Sequence, residues 1–120
     1  MYDIVFYRTS NGRSELIELL DELQVRAETS KDARIVRQKL LSYLGSLTEF
    51  GTRVGEPAVK HVVDDIWELR PHDLRVFFFL WKGSAYVLLN HYWKKDRKAP
   101  RREMVCARRL RRDYLERFGA

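Results

Sequence analysis

Arg70, Arg75, His91, Tyr92 and Lys94 bring two guanidinium groups, an imidazole, a phenol and an ammonium into one short stretch of the chain. Cleavage of RNA by its own 2′-hydroxyl asks for these types. A base takes the hydroxyl proton, an acid protonates the leaving oxygen, and cations surround the charge that grows on the phosphate. The reaction asks for no metal. His91, His61 and Tyr92 are the candidates for moving protons, and Arg70, Arg75, Lys94 and Lys95 for holding charge. Lys60 and His61 upstream, with Lys95, Arg97, Lys98 and Arg101 downstream, extend a cationic rim suited to binding an RNA strand.

A sheet has to carry these residues if they are to meet. Val76-Phe77-Phe78-Phe79-Leu80 is apolar at every position, as expected of a strand (Leu74–Trp81) covered on both faces. Ile66–Arg70 reads as the strand before it and Ser84–Trp93 as the strand after it, with Lys82-Gly83 as the turn. A two-residue turn pairs Trp81 with Ser84 and sets Arg75 opposite Asn90. Alternation then predicts Arg75, Phe77 and Phe79 on one face with Tyr86, Leu88, Tyr92 and Lys94. His91 falls on the other face, beside Leu89 and Trp93, unless a one-residue bulge reverses it. Arg70 either serves the site or pairs with Asp73 across the tight connection.

Around this hairpin the remaining elements follow from periodicity. Tyr2–Arg8 is a first strand ending in the turn Thr9-Ser10-Asn11-Gly12. Leu16, Leu19, Leu20 and Leu23 form one stripe of a helix from about Gly12 to Gln24, and Ser30 caps a second helix that stops at Phe50-Gly51. Gly51–Pro57 is an irregular crossing loop. Pro100 suits the first turn of a final helix that turns Ala107, Leu110, Tyr114 and Phe118 to one side. The predicted order is β-α-α-β-β-β-α, an α+β domain spanning residues 1–120 with a mainly antiparallel sheet.

Charge is unevenly placed. From Lys94 to Ala120 there are eleven Lys/Arg against four Asp/Glu, while the first 93 residues hold twelve against thirteen. This is the footprint expected of a phosphate binder. Arg108, Arg109, Arg111 and Arg112 are expected to act as additive binding contacts to a nucleic acid or to an acidic partner rather than in chemistry. Cys106 is the only cysteine, which excludes an intrachain disulfide and a Cys-pair zinc site and fits a reducing compartment. His61, Asp64 and Asp65 lack paired-ligand spacing, and the chain has neither a Gly-rich phosphate loop nor a nucleophile elbow, so no metal and no small-molecule cofactor is expected. The N-terminus does not read as a signal peptide, and Val76–Trp81 is too short to span a bilayer. The expected location is the cytoplasm, with no membrane partner.

Several segments together resemble the RelE/ParE superfamily of bacterial toxins, most closely its HigB-like, phage-derived branch. They are Val5-Phe6-Tyr7, Gly55-Glu56-Pro57 with Lys60-His61, Ile66-Trp67-Glu68-Leu69-Arg70, Leu74-Arg75-Val76-Phe77, Val87-Leu88-Leu89, Lys94-Lys95 and Pro100-Arg101-Arg102-Glu103. The resemblance implies the RelE-like fold and the toxin of a type II toxin–antitoxin pair, commonly an endoribonuclease that cuts mRNA in the ribosomal A site. The partner it implies is a small helix-turn-helix antitoxin. It also implies that Arg75 stands where ribosome-dependent members have the sheet arginine that contacts the scissile phosphate, and that Lys94 and Lys95 are the basic pair after the last strand. Ile66 and Glu68 stand where some relatives have paired lysines, and Asp96-Arg97-Lys98-Ala99 replaces a segment often uncharged in this branch. The same fold also serves toxins that poison DNA gyrase, and an inactive copy would remain as an antitoxin-binding module.

Overall fold

The computed structural model describes residues 1–120. One sheet of five strands has the order β1-β5-β4-β3-β2, formed by β1 (Asp3–Phe6), β2 (Val59–Val63), β3 (Ile66–Leu69), β4 (Leu74–Trp81) and β5 (Ala85–Trp93). Helices α1 (Glu15–Arg26) and α2 (Lys31–Phe50) separate β1 from β2, and α3 (Arg101–Phe118) follows β5. Only β1 and β5 run parallel. The α+β class with a mainly antiparallel sheet is as expected, but Val59–Val63 adds a strand to the predicted order. This edge strand is short and pairs only with β3. Two of its five residues, Lys60 and His61, are exposed, so its sequence carries little of the signal that marks a buried strand.

Local chemistry sets the helix ends. Ser14 Oγ accepts from the Ile17 N–H at 3.3 Å, and Ser30 Oγ from the Ala33 N–H at 3.2 Å. The first cap starts α1 at Glu15, later than the leucine stripe alone suggested. Pro100 occupies the N-cap of α3, one position ahead of its first turn. Gly51 closes α2 at a φ of 64°, and a Cβ there would stand 2.7 Å from Tyr86 Oη. That hydroxyl accepts from the Thr52 N–H at 3.2 Å, so the helix end is locked against the sheet.

Two apolar layers sandwich the sheet. Leu16, Leu19 and Leu23 of α1 and Val36, Leu40 and Leu47 of α2 cover Leu74, Val76, Phe78 and Leu88. On the other face Ala107, Leu110 and Tyr114 of α3 cover Ile66, Phe77, Phe79, Val87 and Leu89. β4 is therefore buried from both sides, with Phe77 and Phe78 each 0% exposed. Phe118, expected on the buried stripe, is instead exposed at the helix end and rests on Tyr114.

The β4–β5 register differs from the two-residue turn in two ways that offset each other. Trp81 pairs with Ala85, so the loop is one residue longer, with Lys82 and Gly83 both left-handed at φ 54° and 67°. This places Tyr86 and Leu88 on the α1–α2 face rather than with Phe77 and Phe79. Farther along, Leu89 and Asn90 together face Phe77 in a β-bulge, so that Arg75 pairs with Tyr92 and not with Asn90. Both faces hold the bulge. Asn90, fully buried, donates from Nδ2 to the Glu103 carbonyl at 3.0 Å, and Glu15 Oε2 accepts the His91 backbone N–H at 2.7 Å.

Polar contacts tether α3 along its length. Tyr7 Oη donates to Asp113 Oδ2 at 2.6 Å, and Trp81 Nε1 to the Gly119 carbonyl at 2.8 Å. Arg108 Nη2 lies 3.3 Å from Asp64 Oδ2, and Arg111 Nε 2.8 Å from Asp65 Oδ1, which pins the β2–β3 turn to the helix. Burial, then the bond and charge of Asp113, raise the pKa of Tyr7; burial raises that of Tyr114 against the opposing effect of Arg117. Both neutral phenols are favoured in the folded state, so their contribution to stability is complete below the ordinary tyrosine pKa of about 10 and is lost as pH rises through the folded values. Alkaline titration by near-UV absorbance should show these two tyrosines ionising after the exposed ones. In Tyr7→Phe, stability measured by denaturant should fall less steeply with pH in that range.

Candidate functional site

A cavity of about 320 Å³ opens on the α3 side of the sheet, between Lys60–Val62 of β2, Glu68 and Arg70, the paired ends of β4 and β5, and the connection into α3. Arg70, Arg75, Tyr92 and Lys94 line it, as do Lys60, His61, Arg97 and Lys98. Six cationic side chains thus face two carboxylates, Glu68 and Asp96. The register puts them there. Glu68 pairs with Lys60 on one side and Phe77 on the other, Arg75 pairs with Tyr92, and the Lys94 N–H donates to the Asp73 carbonyl at 2.7 Å, closing the connection over the β3–β4 turn.

Arg75 is held at the base. Nη1 donates to the His72 carbonyl at 2.7 Å and to the Leu74 carbonyl at 2.9 Å, which leaves Nε and Nη2 without protein partners. Only 6% of the residue is exposed. Burial first, then the like charge of Arg70, draws the guanidinium below its usual pKa, and the nearby Glu68, Tyr92 and Asp73 offset this in part. A cation left under-compensated in a cavity is stabilised by an incoming anion.

Glu68 organises the opposite wall. Its carboxylate is almost buried, accepts from Tyr92 Oη at 3.0 Å and lies 3.4 Å from Arg70 Nε. Arg70 reaches Glu56 at 3.5 Å with Nη1 and does not pair with Asp73, which instead contacts His72 Nδ1 at 3.0 Å. Arg70 Nε is buried and makes no hydrogen bond within the protein, and the Glu68 carboxylate at 3.4 Å is its charge partner. Burial, then the charge of Glu68 and the bond to it, raises the Tyr92 pKa far above its usual value, so the phenol stays protonated at neutral pH. Its ring packs against Phe77 with centroids 5.5 Å apart.

Other sequence candidates stand elsewhere. His91 points to the α1 side, its Nδ1 2.6 Å from Glu15 Oε2, and so does not join Arg75 and Tyr92. His61 borders the cavity, but its ring meets Trp67 edge-on and its Nε2 contacts the Asp64 carbonyl at 2.6 Å. Lys95 and Arg101 are exposed outside the lining. Glu68 is not among the sequence candidates, which are cations, imidazoles and a phenol; its signal is a charged residue inside a strand whose other residues are apolar or aromatic. A larger depression of about 550 Å³ runs beside α3, but its Asp64 and Asp65 already meet Arg108 and Arg111.

Replacing Glu68 with Gln removes a charge that raises the Tyr92 pKa and leaves the larger effect of burial in place. In Glu68→Gln the Tyr92 phenol should therefore titrate at lower pH than in the parent, yet still above an exposed tyrosine. Near-UV absorbance compared with Glu68→Gln/Tyr92→Phe isolates that one group.

The family model described as Phage derived protein Gp49-like (DUF891) matches residues 28–112, a span that holds α2, β2 to β5, the whole cavity and most of α3. A comparison with curated proteins gives no match. With the greater part of the chain matched, including every residue that lines the cavity, the chain belongs to the Gp49-like family of phage-derived proteins, a family of RelE/ParE-like toxins of toxin–antitoxin systems.

Proposed function

We propose that this chain is a HigB-like toxin that cuts mRNA, in the setting of the ribosome, by transfer to the 2′-hydroxyl. The observation that carries this reading is the under-compensated Arg75, held at the base of a cationic cavity with two donor positions free. The scissile phosphate sits against Arg75, with Arg70 and Lys94 beside it. A protonated Tyr92 cannot be the base. Glu68, which Tyr92 and Arg70 orient, takes the 2′-hydroxyl proton as the 2′-oxygen bonds to phosphorus. The bond to the 5′-oxygen breaks on the far side of the phosphorus. Tyr92 is only 3.0 Å from Glu68 and lies on the attacking side, so the leaving oxygen takes its proton from a rim ammonium, assigned to Lys94. The product ends in a 2′,3′-cyclic phosphate.

Family membership supplies the antitoxin as a partner, and the helix-turn-helix form of that antitoxin is part of this proposal. The cavity supports RNA over gyrase poisoning because its chemistry is that of a reacting phosphate: free guanidinium donors beside a buried, oriented carboxylate.

Two variants and two product assays test this. Arg75→Ala should remain folded and lose growth arrest, with cleavage on translating ribosomes falling by about 10²–10³, the cost of one donor aimed at transition-state charge. Glu68→Gln should lose cleavage while still binding RNA. Full toxicity in a folded Arg75→Ala protein removes Arg75 from the site. Cleavage should also survive a chelator under conditions that leave the ribosomes intact, and end-group analysis should find a cyclic or 3′-phosphate. A 3′-hydroxyl end would exclude attack by the 2′-oxygen.

A further inference from the structure

The arginines of α3 divide into two sets that the sequence does not distinguish. Arg108 and Arg111 are tied to Asp64 and Asp65, and Arg117 to Asp113 at 2.9 Å. Arg102, Arg109 and Arg112, like Arg101 at the first position of the helix, are exposed and have no carboxylate within ion-pair distance; Arg109 contacts only the Cys106 sulfur, at 3.8 Å. At 100° per residue these three lie on the side of α3 opposite its buried Ala107, Leu110 and Tyr114. The ridge they form is about 15 Å long at about 1.5 Å per residue. It begins next to the cavity, since Lys98, Ala99 and Met104 line that cavity and α3 starts at Arg101.

We infer that this ridge is a second RNA-binding surface, which holds the phosphate backbone of structured RNA outside the cleavage cavity. A protein partner would need apolar area to bury at the centre of its footprint. The ridge offers one exposed apolar side chain, Val105, among its arginines. A polyanion needs only spaced cations, and these three guanidinium groups give up no ion pair when they bind phosphate, only the long contact of Arg109 with the Cys106 sulfur. This inference rests on the RNA reading above, and its test separates the two.

The full chain carrying Arg75→Ala, which silences cleavage, is titrated with a fluorescent RNA hairpin over a range of potassium chloride. Changing Arg102, Arg109 and Arg112 together to Gln should flatten the plot of log affinity against log salt by about 2–3, because each lost contact removes about 0.7–0.9. The matching Lys triple should keep the slope. The Arg108→Gln/Arg111→Gln pair should lower the melting temperature and change the slope less than the triple does. Single Gln variants keep the measurement readable if the triple does not fold. An unchanged slope in a folded Gln triple overturns the inference. Cleavage by the otherwise unmodified chain reports on the nuclease reading alone: cleavage with an unchanged slope removes only the ridge, and a flattened slope without cleavage removes only the nuclease.

Discussion

One extra residue in β5 decides which side chains meet. With Trp81 paired to Ala85, unbroken alternation would turn Tyr92 to the face opposite Arg75. The bulge at Leu89 and Asn90 restores the match, and both layers fix it in place: Asn90 bonds to the first turn of α3, and Glu15 of α1 caps the freed N–H of His91. Asn90 is fully buried, so losing its contact leaves a donor unsatisfied in the interior, which is more costly than never having made the bond, whereas the Glu15 contact lies at the exposed edge. The site is therefore coupled to the packing of helices on both faces, although it lies wholly on one.

A carboxylate inside a cavity lined mainly by cations needs a reason. Glu68 lowers the attraction of the cavity for anions, and its burial beside Arg70 and Arg75 has an evident structural benefit, since two guanidinium groups close together repel. If neutralisation were its whole role, a direct pairing with Arg75 would serve best. Arg75 instead spends Nη1 on backbone carbonyls and keeps its other donors free, while Glu68 bonds to Tyr92. The arrangement keeps positive charge where a phosphate would sit and a fixed acceptor next to it. That separation of roles is what the proposed reaction would need from the cavity and what a simple ion-pair cluster would not.

The sequence revealed long periodic elements and the chemistry of the rim better than it revealed register. The leucine stripes of α1 and α2, the Ser30 cap and the doubly covered β4 were all readable because each rests on many residues or on one strong local bond. The convergence of Arg75 with Tyr92 was anticipated for an incorrect reason: a loop one residue longer and a bulge cancel, and neither leaves a clear mark in composition. β2 escaped because an edge strand is stabilised by pairing rather than by its own pattern. His91 was ambiguous from the start, since one bulge decides its face, and the bulge lies on its N-terminal side.

Charge in this chain is not interchangeable, although formal counting treats it so. Arg108 and Arg111 have the same composition and helix as Arg109 and Arg112, yet carboxylates on the β2–β3 turn bind the first pair and leave the second exposed. The turn is the one that brings Lys60 and Glu68 into line across β2 and β3. Two arginines of the basic helix thus shape the wall of the cavity from a distance, through the strand pair they anchor. The excess of positive charge that marks the C-terminal segment therefore does two kinds of work: part of it is consumed in holding the sheet edge against α3, and only the remainder can attract an anion from solution.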